Sequence, residues 1–129
     1  MSRFSLLLCL FLAFTLTSCA NTPQTIKPAV LHIVVVWLKE PGNQNHRQQL
    51  LEASQQLTEI PGILSVQAGK VIGSDRAVVD SSFDIALVMR MRNREVLNSY
   101  VQHPLHHQLI EEVFKPLIEH YRVYDVEEP

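Results

Sequence analysis

A chain of 129 residues, 47% of them hydrophobic and carrying a formal charge of −2, has the size of one small domain. Its 11 Lys and Arg residues form no basic cluster, so the concentrated phosphate contacts of a nucleic-acid binder are missing. No repeat or low-complexity tract is present.

The chain opens as an export signal. Arg3 is followed by an apolar run from Leu6 to Phe14 and then by small and polar residues. That run is too short for a membrane-spanning helix, which needs about 20 residues. "LTSC", Leu16 to Cys19, resembles the bacterial lipobox, in which the cysteine is acylated and becomes the first mature residue. Cys9 falls in the segment to be removed, so maturation leaves Cys19 without an intramolecular disulfide partner. The expected organisation is a signal over 1–18, a polar, proline-punctuated tether over 19–28 and a folded body over 29–129. Ala20 follows the cysteine in place of an inner-membrane-retention aspartate. In a Gram-negative envelope this implies lipid anchoring at the outer membrane, facing the periplasm.

The body begins with "VLHIVVVWLK" (Val30 to Lys39), a β-branched, almost wholly apolar run that predicts a strand buried on both faces, interrupted by His32. Leu50, Ala53 and Leu57 then recur at helical spacing among glutamines, and Pro61-Gly62 stops the helix. "ILSVQAGKVI" and "SFDIALVMRMR" predict strands on either side of a polar loop over 73–81. In the second of these, Phe83, Ile85, Leu87, Met89 and Met91 alternate with Asp84, Ala86, Val88, Arg90 and Arg92, so each set holds one sheet face. A helix over 94–102 follows, then another after Pro104 that Pro116 kinks or ends, and "HYRVYDVE" closes the chain as a strand.

The order β-α-β-β-α-β predicts a ferredoxin-like α+β fold, an antiparallel sheet with helices on one face. The first strand is apolar on both sides, so a lone subunit would leave sheet surface wet. A homodimer pairing two sheets as an α/β barrel removes that exposure. The set Phe83, Ile85, Leu87 and Met89 is the expected dimer face.

"SYVQHPLHHQLIEE", residues 99–112, crowds Tyr100, His103, His106 and His107 around Pro104. Pro104 pushes His103 out of helical backbone and suits the first helical position, which places His106 in the opening turn. The positive helix end there favours a neutral imidazole, the form needed by a base. His103 also reads as a helix-capping junction, and His107 turns away from His106 toward solvent. His103 and His106 straddle the break, and no local cysteine or glutamate pair completes a site with them, so no metal site is expected. No glycine-rich phosphate loop or axial-ligand pattern is present, and no cofactor is expected either.

"LHIVVVWLK", "IPGI", "DIALVMRM", "YVQHPLHHQL" and "VYDVE", in that order over about residues 30–127, resemble the stress-responsive A/B barrel family, the Dabb domains. The resemblance implies a dimeric α+β barrel and an association with stress responses. Some plant members resemble polyketide cyclases, whose pocket tyrosine falls on Tyr100, histidine base on His106 and further histidine on His32. Asp84 stands where those cyclases carry another histidine. An acidic side chain there can orient a histidine but cannot act as a neutral imidazole. The expected pocket is therefore His32, Asp84, Tyr100, His103 and His106, with Tyr100 and His106 as the candidate catalytic pair. The function so implied is an envelope-anchored dimer binding a small apolar ligand or partner. A cofactor-free enzyme of cyclase or monooxygenase-like type is the alternative, and a purely structural stress protein is a third.

Overall fold

The computed structural model describes residues 28–129. The expected signal, Cys19 and the tether as far as residue 27 lie outside the described residues. Strand β1 (Val30–Leu38) leads into helix α1 (Gln44–Gln56), which ends in a 3-10 turn at Leu57–Glu59. Strands β2 (Ile63–Lys70) and β3 (Ile85–Met91) follow, then helices α2 (Arg94–Val101) and α3 (Pro104–Leu109). A π-helical stretch at Ile110–Phe114, a short helix α4 (Lys115–Leu117) and strand β4 (Ile118–Glu127) complete the chain. The four strands form one antiparallel sheet in the order β2-β3-β1-β4, the ferredoxin-like arrangement. No helix among the described residues is long and apolar enough to cross a membrane.

Local chemistry sets the helix boundaries. The Asn43 side chain accepts from the His46 N–H at the start of α1, and Asn93 accepts from the Val96 N–H at the start of α2. Gly62 turns the chain into β2 with φ +92, a conformation that favours glycine, and a Cβ there would sit 2.5 Å from a Val96 methyl. The last helical region changes pitch just before Pro116. Proline has no N–H to give the carbonyl four residues back, and its ring crowds that turn, so a widened stretch precedes it.

All the helices lie on one face of the sheet. Leu50, Ala53 and Leu57 of α1 and its 3-10 extension are buried as their spacing predicts. In β1 the even positions, Val30, His32, Val34, Val36 and Leu38, point at the helices; Leu31, Ile33, Val35 and Trp37 occupy the other face and are only partly buried. In β3 the helix-facing set is Ile85, Leu87, Met89 and Met91, each no more than 5% exposed. This corrects the expected dimer face: Ile85, Leu87 and Met89 form the subunit's own core. Alternation separates a strand's two faces but does not say which one the helices cover, and here the larger side chains lie inside. The uncovered face instead carries Leu31, Ile33 and Val35 of β1 with Ala86 and Val88 of β3.

Candidate functional site

The core has two apolar clusters. One gathers Val30, Leu57, Met89 and Met91 around Tyr100, and the other gathers Val36, Leu38, Leu50, Ile85 and Leu87. Val34, Val113 and Phe114 touch both. Between the sheet and the helices lies a cavity of about 590 Å³, floored by His32, Val34, Val36, Leu87 and Met89 and walled by Leu50, Ser54 and Leu57 on the α1 side. Tyr100, Val101, His106, Ile110 and Phe114 cover it, and Lys115, Glu119, Tyr121, Val123 and Asp125 line its outer side.

Three expected residues meet there. The Tyr100 and His106 rings are 4.2 Å apart between centroids, and His32 meets Tyr100 edge-on at 5.5 Å. Tyr100 is 3% exposed, and burial raises its hydroxyl pKa well above the ordinary value, so the phenol stays protonated as a donor. His106 has its pKa lowered, chiefly by burial, with the nearby His107, His32 and His103 adding to the effect and the Val101 backbone opposing it. The imidazole is thus favoured as neutral, although burial rather than the helix end is the leading cause. The His106 Nδ1 is buried and has no hydrogen-bond partner among the described residues.

His32 is held by a residue that sequence reasoning missed. Asp125 on β4 stands directly opposite it in the ladder, and its Oδ1 lies 2.6 Å from the His32 Nδ1. A carboxylate only accepts, so the His32 Nδ1 carries a proton and donates it to Asp125. The available signal was alternation in "YRVYDVE", which puts Tyr121, Val123 and Asp125 on one face.

Two expected pocket residues lie elsewhere. His103 caps α3: its Nδ1 accepts from the Leu105 N–H at 3.2 Å, and it does not line the cavity. Asp84, 3% exposed, sits beneath the β1–α1 loop. It accepts from the Leu38 N–H at 3.0 Å, the Gly42 N–H at 2.7 Å and the Arg47 guanidinium at 2.7 Å. Burial alone would raise its pKa, but these hydrogen bonds and the Arg47 charge together bring it below the ordinary value. Asp84 is therefore a structural clamp, corrected from the expected pocket, because the loop's backbone donors and Arg47 occupy its carboxylate. His107 is exposed, on the side away from the cavity. Among the described residues no group of three or more His, Cys, Asp or Glu side chains is placed to hold a metal ion.

An antiparallel four-stranded sheet, helices on one face only, and a cavity between the layers with a tyrosine and two histidines define a ferredoxin-like α+β domain with an internal site. The chain belongs to the stress responsive A/B barrel domain (Dabb) family, whose model matches residues 30–128. A Dabb protein with a ferredoxin-like fold from Mesorhizobium loti is similar at 19% identity and a TM-score of 0.64, over 80% of this chain and 98% of that one. The hydroxynitrile lyase from Passiflora edulis is similar at 22% identity and a TM-score of 0.66, over 79% of this chain and 94% of that one. A dimeric ferredoxin-like protein of unknown function from Thermobifida fusca aligns at 16% identity and a TM-score of 0.64, over 79% and 92% of the two chains. No curated protein matches the chain.

Proposed function

We propose that this protein is a lipid-anchored envelope protein whose Dabb domain forms a homodimer and holds a small, predominantly apolar ligand in the cavity between sheet and helices. The observation that carries ligand binding is the cavity itself, about 590 Å³ and lined mainly by aliphatic and aromatic side chains. Its polar lining is limited to Tyr100, His106 and the His32–Asp125 pair, to Ser54, whose hydroxyl donates to the Leu50 carbonyl, and to Lys115 and Glu119 on the outer side. They suit a ligand with one polar end. Homodimerisation is supported by the apolar uncovered face of β1 and β3, and by the dimeric state of the similar Thermobifida fusca protein. Anchoring rests on the signal pattern and "LTSC"; Cys19→Ser should abolish lipid labelling and leave an unprocessed precursor, and normal labelling of that variant would exclude it.

A cofactor-free enzyme is the second reading, favoured by the 4.2 Å approach of Tyr100 to His106 and by the similarity to a lyase. In it the neutral His106 takes a proton from the ligand, while the Tyr100 hydroxyl hydrogen-bonds the ligand oxygen on which negative charge collects. Both readings are tested by mass spectrometry of small molecules co-purifying with the native protein, followed by calorimetry of Tyr100→Phe, His106→Ala and His107→Ala. Weakened binding in the first two alone supports the site. Equal binding by all three removes Tyr100 and His106 from it, and turnover of the identified ligand decides for the enzyme.

A further inference from the structure

The cavity has an unfinished side. Every residue of β4 after Ile118 is exposed, although β4 supplies Tyr121, Val123 and Asp125 to the cavity lining. Among the described residues, four of the eight large hydrophobic side chains that remain exposed belong to this strand: Tyr121, Val123, Tyr124 and Val126. They alternate across it. Tyr121 and Val123 stand on the cavity face, opposite Val36 and Val34; Tyr124 and Val126 stand on the uncovered face, opposite Ile33 and Leu31. The apolar surface of the uncovered face thus continues around the free edge of β4 and into the mouth of the cavity.

We infer that the second copy of the chain wraps this edge and completes the cavity, so that dimerisation and ligand binding are coupled. The inference rests on the homodimer proposed above. Strand directions permit the contact. β3 and β4 both run against β1, and β2 runs against β3, so β2 is parallel to β1 and opposite to β4. A twofold axis along the strands, with the uncovered faces together, keeps those directions and brings β4 of one copy beside β2 of the other in antiparallel sense. Both strands are sheet edges, with backbone groups free to pair. β2 also presents Leu64, 47% exposed. A second copy placed in this way covers Tyr124 and Val126 directly and screens Tyr121 and Val123 from water. A ligand in the cavity gains that enclosure only in the dimer, and by linkage it must tighten the dimer by the same factor.

The test uses Nile red, a neutral apolar dye, with Ile33→Arg and Val35→Arg, two positions on the uncovered face that do not line the cavity. Sedimentation gives the oligomeric state and circular dichroism the fold. Folded, monomeric variants should bind the dye about tenfold more weakly than the wild-type dimer, within the usual range of coupling between sites. The dye should also shift wild-type dissociation to lower protein concentration. Equal dye affinity in folded monomer and dimer overturns the coupling while leaving the homodimer standing. A wild-type protein that sediments as a monomer overturns the homodimer itself. Should neither variant fold, dilution of the wild type through its own dissociation replaces them, and a dye affinity that stays constant across it overturns the coupling.

Discussion

His32 and Asp125 are 93 residues apart in sequence and 2.6 Å apart in space, joining the central strand to the sheet edge at the cavity. The Asp125 side chain is about half exposed, so the pair adds little stability, on the order of 1 kcal/mol or less. Its larger effect is on the His32 tautomer. Asp125→Ala should leave the melting temperature nearly unchanged while releasing the His32 ring from the Nδ1-protonated form. The imidazole nitrogen shifts of wild type and variant measure this directly; an unchanged tautomer would mean that the cavity environment, not Asp125, selects it.

Asp84 is the opposite case. Its carboxylate is buried and answers three groups at once, so Asp84→Ala leaves the Arg47 guanidinium and two backbone N–H groups without their acceptor. The expected cost is about 3 kcal/mol, read from urea unfolding. The pH dependence has a defined sign. The folded pKa lies below the unfolded one, so the contribution is complete above about pH 4 and is lost as pH falls through the folded value. Asp84→Asn should flatten the acid limb of stability against pH, and an unchanged limb would show that other carboxylates control it.

Local periodicity made most of the fold legible. Leu50, Ala53 and Leu57 needed only their spacing, and Pro104 fixed the start of α3 because a missing N–H and a fixed φ act within one turn. What escaped was long-range. Asp125 meets His32 only because β4 pairs with β1, and Asp84 turns away from the pocket because the N–H groups of Leu38, at the end of β1, and Gly42, in the loop after it, reach it from more than 40 residues earlier in the chain. The π-helical stretch that covers the cavity was visible only as a disturbance near Pro116.

The corrected sheet orientation gives adjacent positions opposite outcomes. Leu87, 5% exposed, packs beneath the helices, so Leu87→Arg buries an unpaired charge and should cost several kcal/mol, enough to unfold a small domain. Val88→Arg falls on the uncovered face and should keep the fold while weakening dimerisation. Thermal melts and sedimentation of the two variants separate these effects. A folded Leu87→Arg that only dissociates would return Leu87 to the subunit interface.

His106 makes the cavity sensitive to mild acid. Its pKa is lowered in the fold, chiefly by burial and further by His107, His32 and His103, while the packed Tyr100 ring brings no charge. Below the unfolded value of about 6.5 the unfolded chain takes up a proton that the folded chain resists. The stability associated with a neutral His106 is therefore complete above that pH, and it declines as pH falls toward the lower folded value. His106→Gln removes this component, so its unfolding free energy should fall less than that of wild type between pH 7 and roughly pH 5. His107→Gln, at an exposed position, should follow the wild-type slope. Urea unfolding across that interval tests the assignment: identical slopes for wild type and His106→Gln would mean that His106 protonates as freely in the cavity as in the open chain, and that its buried Nδ1 meets water rather than waiting for a ligand.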